Sequence, residues 1–145
     1  MCAKGVNDFQ RTMARLGKGI EKVISDTVME FMKKILAEAM SALPAESKYL
    51  KSSFKIESEK TEDMDRVSIF SDEELAAYVE FGTGIWAKAY LSGQPQEVVD
   101  EAIKFYINGK GTTFAQPYLF PAYYRYLPFM EKELDTRIQR LFDSL

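Results

Sequence analysis

Hydrophobic positions along the chain form two long helical stripes separated by a shorter, mixed region. In the first stripe Ile20, Val23, Ile24, Thr27, Val28, Phe31, Ile35, Ala39 and Leu43 recur at three- and four-residue steps, and the charged residues between them fall mostly on the other side. This period predicts an amphipathic helix over residues 7–43. Gly17 and Gly19 each cost up to about 1 kcal/mol in a helix interior, so a kink or break is expected there, with residues 1–19 as a mobile segment. Pro44 ends the helix, because its ring disfavours helical geometry at Leu43 and removes a donor.

The middle of the chain changes period. Residues 52–58 alternate, with Phe54 and Ile56 on one face and Lys55 and Glu57 on the other, and residues 66–70 set Val67 and Ile69 against Ser68. Two strands paired as an antiparallel hairpin are expected, joined by the acidic stretch 59–65. Ser71 with Glu74 three residues on has the form of a capping box ahead of a short helix that ends at Gly82. Residues 85–93 read as irregular and aromatic, residues 96–106 as another short helix closed by Asn108-Gly109, and residues 108–113 as a glycine-rich loop. Residues 115–120 read as extended up to Pro121, a residue suited to a first helical turn. Leu127, Met130, Leu134, Ile138, Leu141 and Leu145 then form the second stripe, with Pro128 able to kink its start. The fold class predicted is α+β: two long amphipathic helices packed on a small antiparallel sheet, with short extra helices, in a single domain over residues 1–145.

Composition narrows the function. The chain has no histidine, which removes Ser-His-Asp and Cys-His relays and His-ligated zinc. Its single cysteine, Cys2, has no partner for an internal disulfide, in keeping with synthesis in a reducing cytoplasm. A net charge of −3 provides no overall positive field for nucleic acid or an anionic membrane surface. No apolar run is long enough for a membrane span or a signal peptide. Neither a cofactor nor a metal is expected.

Candidate motifs have plain structural readings beside their chemical ones. Gly82-Thr83-Gly84 and the glycine run after Asn108 lack a phosphate-binding frame and read as a helix end and a surface loop. Glu57, Glu59, Glu62, Asp63 and Asp65 lack calcium-loop spacing and read as solvated charge. Glu80 stands between apolar Val79 and Phe81, where a carboxylate would be partly buried and paired with a basic residue. Tyr118, Phe120, Tyr123, Tyr124, Tyr126 and Phe129 crowd a dozen positions. Two readings stand side by side for them. Trp86, Tyr90, Tyr123, Tyr124 and Tyr126 could line a protein–protein interface, or the rings could wrap the base of the last helix.

Two strings carry a resemblance. Tyr78, Val79, Glu80, Phe81, Gly82 and Thr83, followed after an insertion by Gln116, Pro117, Tyr118, Leu119, Phe120, Pro121 and Ala122, resemble the YVEFGT and QPFLRPA signature of the siphophage tail-component family, the gene-product-ten-like neck and tail-completion proteins. Phe120 departs from it, standing where many members carry arginine, and the intervening segment is longer and more helical than usual. The resemblance implies a structural protein of the virion at the head-tail connection, made in the bacterial host cytoplasm and working as a homo-oligomeric ring with other head-closure and tail proteins. It also implies that DNA only passes through, that there is no enzyme activity, and that the two strings lie together as a structural signature. A tail terminator, or a prophage-encoded adaptor that stays outside the virion, are the alternatives.

Overall fold

The computed structural model describes residues 2–60, 65–104 and 110–145, with side chains described from Asp8 onward apart from Ala45 and Asp65. In chain order the elements are helix α1 (Cys2–Ala42), a single 3-10 turn (Ala45–Ser47), α2 (Lys48–Ser53), strands β1 (Lys55–Lys60) and β2 (Asp65–Phe70), then helices α3 (Glu74–Phe81), α4 (Gly84–Leu91), α5 (Gln96–Ile103) and α6 (Leu119–Asp143). The protein is α+β: two long helices, several short ones and a two-stranded antiparallel sheet. Its contacts divide it into two compact units, residues 1–31 with 125–145, and residues 32–124.

In the first unit the early part of α1 lies beside the later part of α6. Among its described residues Leu16, Thr27 and Phe31 are buried, the last two on the predicted stripe and Leu16 ahead of it. Tyr126 meets Phe31 edge-on at 6.4 Å. Arg137 donates to the buried Thr27 hydroxyl at 3.1 Å and bridges Glu30 and Glu133 at 2.8 and 2.9 Å. The break expected at Gly17 and Gly19 is absent, and α1 runs through both. Gly19 explains part of this: a Cβ there would lie 2.9 Å from Leu141 Cδ2, so the missing side chain makes room for α6. Close helix packing offsets the conformational cost of glycine.

The second unit holds the sheet and the short helices. β1 and β2 pair antiparallel from Lys55 opposite Phe70 to Lys60 opposite Asp65. The first strand starts later than its alternation predicts, because residues 48–53 are helical. Leu50, 1% exposed, anchors that turn, and Ser53 Oγ donates to the Leu50 carbonyl at 2.6 Å. Residues 61–64 of the expected acidic loop lie outside the described residues, as do residues 105–109, which include Asn108-Gly109.

Three further expectations are corrected. Ser71 does not cap α3: its Oγ pairs with Ser53 Oγ at 2.7 Å and accepts from the Glu73 amide at 3.2 Å, and the helix begins at Glu74 without a side-chain cap. The segment read as irregular is the helix α4, for which Ala87, Lys88, Ala89 and Leu91 are good formers. The last helix starts at Leu119, ahead of Pro121, for a reason that lies in the site below. Ala77, Phe81, Val98 and Ala102 form an apolar cluster in this unit, with Tyr90, Leu91, Phe120 and Tyr124 packed against it.

Candidate functional site

The site starts where α3 stops. Gly82, at φ 74, leaves the helix with its amide donating to the Tyr78 carbonyl at 2.9 Å, a left-handed glycine end of the kind expected there. Thr83 is extended, and Gly84, at φ 61, opens α4. The stretch 111–118 is stitched to this turn. The Thr83 amide donates to the Thr113 carbonyl at 2.9 Å and the Thr113 amide to Thr83 Oγ1 at 2.8 Å, while the Gln116 amide donates to the Val79 carbonyl at 2.8 Å. A Cβ on Gly82 would stand 2.6 Å from the Ala115 nitrogen, and one on Gly84 would overlap the Gly111 carbonyl oxygen. The backbones approach too closely for any other residue.

Glu80 is the centre of this arrangement. Only 3% exposed, it points from α3 at the start of α6. Its Oε2 accepts from the amides of Tyr118 and Leu119 at 2.7 and 2.9 Å, and its Oε1 from that of Phe120 at 3.0 Å. The first amides of a helix lack intrahelical partners, and the helix dipole favours negative charge at that end. A carboxylate from another helix therefore caps α6, which is why α6 begins before Pro121. The Tyr118 hydroxyl adds a bond to the Ala76 carbonyl at 2.9 Å. The basic partner expected for Glu80 is replaced by three backbone donors.

The electrostatics follow from burial. Desolvation pushes the Glu80 carboxyl above its ordinary range, and the three amide bonds pull in the opposite direction. Burial, and secondarily the Glu80 charge, raise Tyr90 to about 12 and also raise Tyr118. Glu80 and Tyr118 border an open groove of about 620 Å³ floored by apolar side chains, among them Met32, Ile35, Ile69, Phe81 and Phe120. Glu80 lines it with both oxygens already engaged.

The residues of the two strings are thus brought together, from Tyr78 to Thr83 on one side and from Gln116 to Ala122 on the other. Tyr118 and Ala122 are buried, and Val79, Pro117, Leu119 and Pro121 are half-buried. The suggested interface residues separate. Tyr90 and Tyr124 pack on the apolar cluster, Tyr124 also donating to Glu97. Tyr123 meets Tyr124 edge-on at 5.3 Å, and Tyr126 belongs to the first unit. Trp86 stays at the surface, 37% exposed and lying against Phe114 at 4.2 Å. Sequence reasoning left out Phe114 and Ile85, which are 60% and 69% exposed; an apolar residue in a polar loop was the available signal for Phe114. Among the described residues no group of three or more acidic, cysteine or histidine side chains could hold a metal ion, and no helix is long and apolar enough to cross a membrane.

The family described as "Bacteriophage HK97-gp10, putative tail-component" matches residues 7–82, just over half of the chain. The protein belongs to this tail-component family. The match runs through α1, α2, both strands and α3 to its terminal Gly82, and the second string lies beyond it. No curated protein and no solved structure matches the chain. In this member of the tail-component family the position of Phe120 is an apolar one, its ring 5.9 Å from Phe81 and 6.4 Å from Tyr124.

Proposed function

We propose that the protein is a non-enzymatic structural component of the virion, placed at the head-tail connection as a neck or tail-completion protein and assembled as a ring. The observation that carries this reading is the state of Glu80. Glu80, the one buried carboxylate among the described residues, spends both oxygens capping α6, so the residues most suggestive of a site act as a strut between α3 and α6. Membership of a tail-component family supports the virion setting. The exposed apolar surface of Ile85, Trp86 and Phe114 supports assembly with other chains, since such patches on small proteins mark contacts. In a ring, DNA passes through without sequence-specific binding, and a net charge of −3 suits a lumen that must not grip phosphate.

The test is electron microscopy of lysates from a phage lacking this gene. Filled heads and finished tails lying unjoined are expected. Tails of irregular length would make the protein a tail terminator instead. Normal infectious particles, with the protein missing from purified wild-type virions, would overturn the structural reading in favour of an adaptor that works outside the virion.

A further inference from the structure

The first part of α1 carries an apolar face that the described residues leave open. Leu16 is buried, yet Phe9 and Met13, on the same face at helical spacing, are 66% and 49% exposed. Arg11, Arg15 and Lys18 lie between and beyond them and are exposed as well, and residues 9–18 contain no acidic side chain. An exposed helix of this kind, apolar on one face and cationic on its other sides, is the usual form of a helix that lies in another protein's groove.

The groove of the second unit has the complementary character. Its floor is apolar, and among the described residues its lining includes the carboxylates Asp72, Glu73, Glu74, Glu97 and Glu101 and no basic residue. Tyrosine hydroxyls bond two of these, Tyr49 to Glu73 and Tyr124 to Glu97, without neutralising them. Lys104 pairs with Glu101 at 2.8 Å across a solvent-exposed contact, where an ion pair contributes little and can be exchanged.

We propose that the face of α1 bearing Phe9 and Met13 docks in this groove on a neighbouring copy of the chain, and that the positive charge which Arg11, Arg15 and Lys18 give the other sides of the helix is drawn to the acidic lining. Arm and groove are different surfaces, so the contact is head-to-tail. Every copy offers both, and the repeat yields a closed ring when its rotation closes. The inference rests on the ring assembly proposed above and names the contact that builds it.

The test uses the full chain in a Cys2→Ser background, followed by sedimentation velocity over a wide concentration range. Three variants are compared: Phe9→Ser with Met13→Ser in the arm, Arg11→Glu with Arg15→Glu in the arm, and Glu74→Arg with Glu101→Arg in the groove. Each is expected to weaken self-association about tenfold or more, as loss of one buried large side chain or reversal of two attracted charges does. Helical content by circular dichroism should be unchanged, because all six side chains are at least partly exposed. Mixing the charge-reversed arm variant with the groove variant should restore association. Weakening by every variant without restoration would show that the two surfaces do not meet each other and would overturn the pairing. Self-association that no variant weakens would overturn the arm contact and leave the ring reading standing. A wild-type chain that stays monomeric at every concentration would count against both.

Discussion

The Glu80 carboxylate and the Tyr118 amide, 38 positions apart in the chain, meet at 2.7 Å and fix where the last helix begins. Two neighbouring amides share the carboxylate, so one side chain joins the end of α3 to the start of α6. The hydrogen bonds pass between the two strings that resemble the tail-component signature.

Replacing Glu80 should therefore cost stability. A carboxamide keeps one acceptor oxygen but turns an NH₂ group toward backbone donors, leaving at least one buried amide unsatisfied. Glu80→Gln should lower the unfolding free energy by about 1–3 kcal/mol at neutral pH, and Glu80→Ala, which removes every acceptor, by more. Urea unfolding followed by circular dichroism measures both. Equal stability of Glu80→Gln and wild type would mean that the three bonds contribute nothing net.

The same residue sets a pH dependence. Burial raises its carboxyl above the ordinary value of 4.5 in spite of the amide bonds, so the folded state binds this proton more tightly than the unfolded state. A group shifted in this direction contributes most below its unfolded value, and that contribution falls as pH rises through the folded value. The stability of wild type relative to Glu80→Gln should be greatest near about pH 4 and decline toward neutrality. An advantage that instead grows with pH would mean that the amide bonds outweigh burial.

Much of the fold was legible because it rests on local periodicity. The stripe from Ile20 to Leu43 marks the buried face of α1 from Thr27 onward, and the alternation around Ile56 and Val67 fixes the hairpin. Gly82 stops α3 by its own conformational freedom. The errors came where distant residues decide. Ser71 has the spacing of a cap, but Ser53 engages its hydroxyl. Glu80 was recognisable as buried from its apolar neighbours, whereas its partners are backbone amides that no side-chain pattern reveals. Gly17 and Gly19 look alike in sequence, and only the nearness of Leu141 separates them.

That difference between glycines is measurable. Gly17 lies inside α1 with nothing within 4 Å of an added Cβ, so Gly17→Ala should stabilise the protein by about 0.5–1 kcal/mol. Gly19→Ala should gain less, because the new methyl must displace the flexible end of Leu141. Gly82→Ala and Gly84→Ala should each cost more than about 1 kcal/mol, since both positions have positive φ and meet backbone atoms that cannot move aside. Thermal melts of the four variants test the order. Gly82→Ala matching Gly17→Ala would contradict the close stitching of residues 111–118 to the end of α3.

The tyrosine-rich region offers a last contrast, because interface and core predict opposite outcomes for the same substitution. Tyr90 and Tyr124 are half-buried against Phe81, Val98 and Ala102, so truncation to alanine removes packing within the chain and should cost about 1–3 kcal/mol. Trp86 has its main ring contact with Phe114, itself exposed, and Trp86→Ala should change the unfolding free energy by less than about 1 kcal/mol. If Trp86 serves assembly, its loss should appear elsewhere, as a lower yield of infectious particles when the variant gene complements a phage lacking the wild-type copy. Tyr90→Ala should reduce that yield only as far as it lowers the amount of folded protein. A Trp86→Ala variant that is strongly destabilised would place this ring with the core, and one that is stable and fully infectious would remove it from the assembly surface.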